Sequence, residues 1–283
     1  MVLSFAIASA LSLGIADYLA GVTLRRDGRN SSALTYTLIS SVLGVVVVAA
    51  TLPLARPDVF TSADFRWSVG AGVVIGLALP LLMIGMGRGP MAIVAPVVGL
   101  VGMAVPAVVG PLVGDNLSLL EIVGLLIAFP AAGLVASSSH SSEDGFSTRG
   151  AVGIAALTGL LLGCAGVFFG QTSPDSGIAP GVVSQITATL LLLAVGGISG
   201  QFVRPKRAAL WPDLGVGVLA ALAVLLSVLA YQIGPVAIVA AVIALAPGPT
   251  VLLAWLLVDE RISKLQILGF ALGIVSVVLF ALG

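Results

Sequence analysis

The chain has 283 residues; 59% are hydrophobic, only 8% are charged, and the formal net charge at pH 7 is zero. A soluble domain carries about 25% charged residues because its surface faces water, so this composition excludes a water-soluble globule and makes lipid the solvent. Neutrality gives no ground for nucleic-acid binding, and a single cysteine, Cys164, excludes an intrachain disulfide or a cysteine metal centre.

The first ten residues are apolar with no basic leader, so the N-terminus reads as a span and not as a secretory signal. A membrane-crossing helix needs about 20 apolar residues. Ten segments qualify: 3–24, 33–54, 67–87, 91–113, 119–137, 150–170, 178–200, 212–233, 236–258 and 264–282. Polar turns separate them, among them the basic runs Arg25-Arg26-Asp27-Gly28-Arg29-Asn30 and Arg204-Pro205-Lys206-Arg207. In lipid each segment must pair its own amides, which leaves helices or closed barrels. These runs lack the polar–apolar alternation of barrel strands. The predicted fold is therefore all-α. The longest polar stretch, 137–145, is rich in serine and reads as a flexible linker with five segments on each side. Its one histidine, His140, has no second ligand nearby in sequence, so no metal role is expected.

The halves repeat. Gly89-Pro90-Met91-Ala92-Ile93-Val94-Ala95 matches Gly234-Pro235-Val236-Ala237-Ile238-Val239-Ala240, and the register continues without a gap. Each copy then reaches a polar turn with a capping-box spacing, Ser118 to Glu121 and Ser263 to Gln266. Trp67 and Trp211 are expected to open the third helix of each half as interface anchors. Five helices per copy make the second enter from the opposite side, an inverted repeat of the kind found in secondary transporters.

The turns Gly114-Asp115-Asn116-Leu117-Ser118 and Asp259-Glu260-Arg261-Ile262-Ser263 resemble the Gly-Glu-Arg-Leu-Ser turn of EamA-type drug/metabolite transporters, the second more closely. Ala246-Pro247-Gly248-Pro249-Thr250 resembles that family's proline-bearing ninth helix, and Ala16-Asp17-Tyr18-Leu19-Ala20-Gly21 its first helix in one bacterial branch. The first copy departs from the pattern, with Asp115 and Asn116 in place of the Glu-Arg pair. The resemblance implies two EamA-like repeats, 1–137 and 150–283, joined by a linker at 138–149. It implies a cell-membrane carrier of small metabolites or drug-like solutes driven by a proton gradient or by exchange. It also implies cytoplasmic termini.

Asp17 is the clearest acid inside a span. Charge there costs at least about 2.5–3.5 kcal/mol and tends to face a cavity or a partner. It reads as a coupling carboxylate, or else as one half of a structural pair with Arg25, Arg26 or Arg88. Tyr18 adjoins it. Gln171, Gln185 and Gln232 either join helices or line a polar cavity. Tyr36 and Tyr231 suit an interface belt or a substrate site. Pro96, Pro106 and Pro111 in the fourth segment and Pro247 and Pro249 in the ninth predict matched kinks beside a central site. Gly72 with Gly76 and Gly159 with Gly163 have the spacing of close helix packing. Glu260 and Arg261 read as a turn pair.

No Gly-x4-Gly-Lys-Ser/Thr segment is present, so the chain has no phosphate loop of its own. One span acid and one loop histidine do not make catalytic machinery, and neither cofactor nor enzyme activity is expected. The leading expectation is an exporter working by alternating access. The alternatives are a lipid or lipid-linked metabolite flippase, with Arg88 at headgroup depth, and a non-transport membrane protein. Expected partners are a small-molecule substrate and membrane lipid, with the chain a monomer or homodimer.

Overall fold

A computed structural model describes residues 1–27, 33–53, 57–88, 91–135, 148–200, 202–258 and 263–283. Among these are eleven α-helices: α1 (Val2–Asp27), α2 (Ala33–Thr51), α3 (Ser62–Arg88), α4 (Met91–Val113), α5 (Leu119–Val135), α6 (Thr148–Gly170), α7 (Ala179–Ser199), α8 (Arg207–Ile233), α9 (Val236–Ile243), α10 (Pro247–Val258) and α11 (Lys264–Leu282). Eight stretches are long and apolar enough to cross a membrane, and two shorter apolar helices, Val97–Val113 and Leu119–Leu134, complete the ten expected crossings. Large apolar side chains such as Val46, Leu112, Leu126, Leu190 and Ile274 point outward, as they must where the surrounding solvent is hydrocarbon. The chain is an all-α, multi-pass membrane protein.

The ninth segment is not one helix. It breaks at 244–246 into α9 and α10. Pro247 and Pro249 carry no N–H, so the i to i−4 ladder cannot run through them. The amides of Leu245, Ala246 and Gly248 turn instead to the carbonyls of Val242, Ile243 and Leu245 at 3.1, 2.9 and 2.8 Å. The fourth segment differs, since α4 stays one helix from Met91 to Val113 with Pro96, Pro106 and Pro111 inside it. The expected matched breaks therefore occur on one side only.

Helix packing follows a pseudo-twofold pattern. α1 packs on α8 and α3 on α6; α4 packs on α6 as α9 and α10 pack on α1; α3 meets α7 as α8 meets α2. The pairs α2–α7, α4–α9 and α5–α11 lie on the axis. Small residues permit the tight approaches: a Cβ on Gly72 would strike the Ser184 carbonyl, and one on Gly159 would lie 2.7 Å from that of Val98. The core centres on α9, where every side chain from Val236 to Val242 is buried.

Helix starts correct two boundaries. α3 begins at Ser62 and α8 at Arg207, so Trp67 and Trp211 lie a turn or more inside their helices and do not open them. Both capping boxes form. Glu121 N–H donates to Ser118 Oγ at 3.2 Å and Ser118 N–H to Glu121 Oε2 at 2.6 Å. Ser263 and Gln266 exchange the same pair at 2.9 and 3.2 Å.

Candidate functional site

Asp17 lies on α1 one turn beyond Gly14. The Gly14 carbonyl accepts a hydrogen bond from Thr250 Oγ1 at 2.7 Å, and a Cβ at Gly14 would strike the carbonyl of Ala246. α1 thus seats directly on the break between α9 and α10. Asp17 sits deep in the mass of the protein, yet its own side chain is exposed. Many protein atoms therefore surround the carboxylate at middle range while its surface stays accessible. No hydrogen bond or ion pair joins it to a described residue. Arg26, one of its expected partners, donates instead to the Ala208 carbonyl at 3.3 Å; the side chains of Arg25 and Arg88 lie outside the described residues. Tyr18, next in sequence, is buried.

Of the other expected residues, Tyr36, Tyr231 and Gln232 lie toward the two ends of the bundle and do not converge on Asp17. Tyr36 is 3% exposed. Its hydroxyl donates to Asp27 Oδ1 at 3.1 Å and accepts the Lys206 amide at 2.9 Å, at the end of the bundle where α1 finishes and α8 starts. Gln185 is half-buried on α7 and reaches the Ser41 carbonyl of α2 at 3.4 Å. Gln232 holds its amide within 3.1, 3.1 and 3.0 Å of Thr172 Oγ1, Ser176 Oγ and the Gly177 carbonyl, so it secures the α6–α7 connection, a short 3-10 turn at Pro174–Ser176. Tyr231 is buried, with its ring against Gly166. Tyr231, Gln232 and Gln171 line one polar cleft of about 310 Å³ with Asp115, Asn116 and Pro235, at the end of the bundle opposite Tyr36. Pro106 is fully buried. Pro247 and Pro249 form the break beside Gly14. The side chain of Pro96, His140 and the Glu260–Arg261 turn lie outside the described residues.

Sequence reading missed the burial of three acids, Asp27 at the end of α1, fully buried, and Asp64 on α3 and Asp213 on α8, each 2% exposed. Asp64 and Asp213 fell outside or at the edge of the expected spans because α3 and α8 start earlier than hydropathy suggested. The Thr61–Asp64 spacing was the available signal. Asp64 Oδ2 accepts from Thr61 N–H at 2.9 Å and Thr61 Oγ1 at 2.6 Å, and its Oδ1 from Ser173 N–H at 2.8 Å.

Residues 149–282 match the family model of the EamA-like transporters. The second half of this membrane protein is EamA-like. The EamA-like match covers α6 to α11, the half that contains the helix break and Asp213. A solved crystal structure superposes with a TM-score of 0.75, covering 99% of this chain and 96% of the other at 17% identity, which shows the fold alone. No curated protein matches the chain in sequence.

Proposed function

We propose that the protein is a secondary transporter of the cell membrane that exports a small metabolite or drug-like solute. Two repeats, 1–137 and 150–283, joined by the linker at 138–149, alternate access to a central opening. Asp17 exchanges a proton there as the solute passes. The observation that carries this reading is Asp17 itself. An acid inside a span, exposed at its surface and joined to no described residue, is costly in a purely structural role and useful in a coupling one. The helix break one turn away supports it, since discontinuous helices mark substrate and ion sites in carriers built from inverted repeats. The EamA-like second half supports the transporter class.

The test compares a deletion strain carrying wild-type protein with one carrying Asp17→Asn at equal membrane abundance. Extracellular solutes are profiled with and without a protonophore. A solute that accumulates outside only with the wild type, and is lost on adding protonophore or on D17N, is the expected result. Equal export by D17N would overturn the role of Asp17. No strain-dependent solute across the profile would overturn export.

A further inference from the structure

Of the missed acids, Asp64 sits in the first turn of α3 and Asp213 in the second turn of α8, two helices that the pseudo-twofold pattern relates. Asp64 has three donors at 2.6–2.9 Å. Asp213 is equally buried, but its Oδ2 has no hydrogen-bond partner among the described residues. A sealed carboxylate oxygen with no donor is strongly unfavourable as an anion unless a positive charge or a proton reaches it. The groups around it are polar and unevenly used. The hydroxyl of Tyr36 on α2 already serves Asp27 and the Lys206 amide. Lys206 Nζ, preceding α8, donates to the Asp27 carbonyl at 2.6 Å, and Arg26 of α1 to the Ala208 carbonyl at 3.3 Å. Neither cation is directed at Asp213. Arg25 has its side chain outside the described residues.

Register places this acid relative to Asp17. α1 and α8 run antiparallel, with Ser9 Oγ on the Ala223 carbonyl at 2.9 Å, Leu19 against Gly215 and Lys206 on Asp27. Asp17 then stands level with about residue 217, so Asp213 lies roughly one turn, about 6 Å along the axis, nearer the basic end of the bundle.

We propose that Asp213 is a second charge station, which takes up one small positive charge, a proton or an alkali-metal ion, between the basic end of the bundle and Asp17. Uptake neutralises one carboxylate and involves no other bond or electron. Its place in a transport cycle rests on the function proposed above, but charge uptake itself does not need a substrate.

The experiment measures the melting temperature of full-length protein in lipid nanodiscs in choline chloride from about pH 5.5 to 8.5. It compares D17N with D17N/D213N, so that Asp17 does not contribute. Uptake predicts that D17N loses several degrees as pH rises, because the folded state holds the charge more tightly than the unfolded chain. It predicts that D17N/D213N lacks this loss and melts higher at the alkaline end. Sodium or potassium chloride added at the alkaline end distinguishes the sources. Recovery of D17N alone identifies an alkali ion, and no recovery identifies a proton. Equal pH slopes in the two proteins, together with no rise in D17N stability specific to sodium or potassium, overturn the proposal. If D213N fails to fold, the infrared C=O stretch of a protonated carboxylic acid in D17N/D115N protein near pH 6 decides. Its presence supports uptake, and its absence in alkali-free buffer overturns it. Transport that persists while these tests fail would leave the function reading intact.

Discussion

Thr250 Oγ1 donates to the backbone carbonyl of Gly14 across 2.7 Å, tying the first turn of α10 to the middle of α1. That carbonyl remains within reach of another helix because Gly14 has no side chain. A Cβ there would meet the Ala246 carbonyl and Pro249, and backbone cannot move aside as a flexible side chain can. Gly14→Ala is expected to cost about 1–3 kcal/mol by overpacking, a fall of a few degrees in melting temperature. Thr250→Val, which keeps the shape and removes the donor, should cost about 1 kcal/mol. Thr250→Ser should stay close to wild type. Thermal unfolding of the three purified variants checks this, and an unchanged G14A would show that the seat on the break is loose.

The crossings, their packing by small residues and the two capping boxes were legible in the sequence, because each depends on local chemistry: apolar length, glycine spacing, a hydroxyl three residues before an acid or amide. The break in the ninth segment was legible only as a kink. Two prolines two residues apart in 247–249 remove more donors from one turn than the spread prolines of α4, and only the former interrupts the helix. The partners of Gln232 and Tyr36 were not legible. They come from Thr172, Ser176, Gly177, Asp27 and Lys206, and in four of these five bonds the partner is 55 or more positions away, so long-range packing chose them. Asp213 was hidden for a related reason: hydropathy set the start of its helix five residues late, at 212 rather than Arg207, and so left the acid at an apparent membrane edge.

Gln232 gives a prediction about that long-range packing. Its amide faces three acceptors within 3.1 Å. Gln232→Leu keeps much of the volume and removes the donors, leaving Thr172, Ser176 and Gly177, of which Thr172 and Ser176 are buried, short of a partner. The expected loss is about 1–3 kcal/mol, read as a lower melting temperature. Wild-type stability for Q232L would mean that water supplies the missing donor from the adjoining polar cleft.

Asp115 sets a pH dependence. It lies outside the spans, in the turn between α4 and α5, and its Oδ2 accepts the Ala237 amide at 3.2 Å in the first turn of α9. Burial pushes its carboxyl above the ordinary 3.8, Glu121 adds to this, and the amides of Ala237 and Val236 act against it. The net direction is upward, so the folded protein holds this proton more tightly than the unfolded chain. Its stabilising contribution is whole below the ordinary value and is lost as pH rises through the raised one. Melting curves from about pH 3.5 to 7 should show wild-type stability falling relative to Asp115→Asn across the weakly acidic range. A difference that is flat, or that rises with pH, would mean that the two amides outweigh burial.

Orientation is the last expectation, and here the loop charges oppose the family resemblance. The structure sorts the connections into two ends. Val2 packs against Gly234, and Gly283 against Ser118 and Glu121, so both termini share an end with the α4–α5 and α8–α9 turns. At the other end Asp27, Tyr36 and Lys206 meet. Counted along the sequence, the connections after the first, third, fifth, seventh and ninth crossings carry Arg25, Arg26, Arg29, Arg88, Arg149, Arg204, Lys206, Arg207, Arg261 and Lys264, whereas the others carry Arg56 and Arg66. Basic residues in short loops stay in the cytoplasm, because their translocation is disfavoured and acidic residues count little. The bias places the termini outside and the 138–149 linker in the cytoplasm, with Arg25, Arg26 and Arg29 weighing most because they flank the first span. A fluorescent protein that matures only in the cytoplasm, fused after Gly283 in a bacterial host, is expected to stay dark, and a phosphatase active only in the periplasm is expected to work there. Bright fluorescence with an inactive phosphatase would show that cytoplasmic termini, as the resemblance implies, prevail over the charges of this chain.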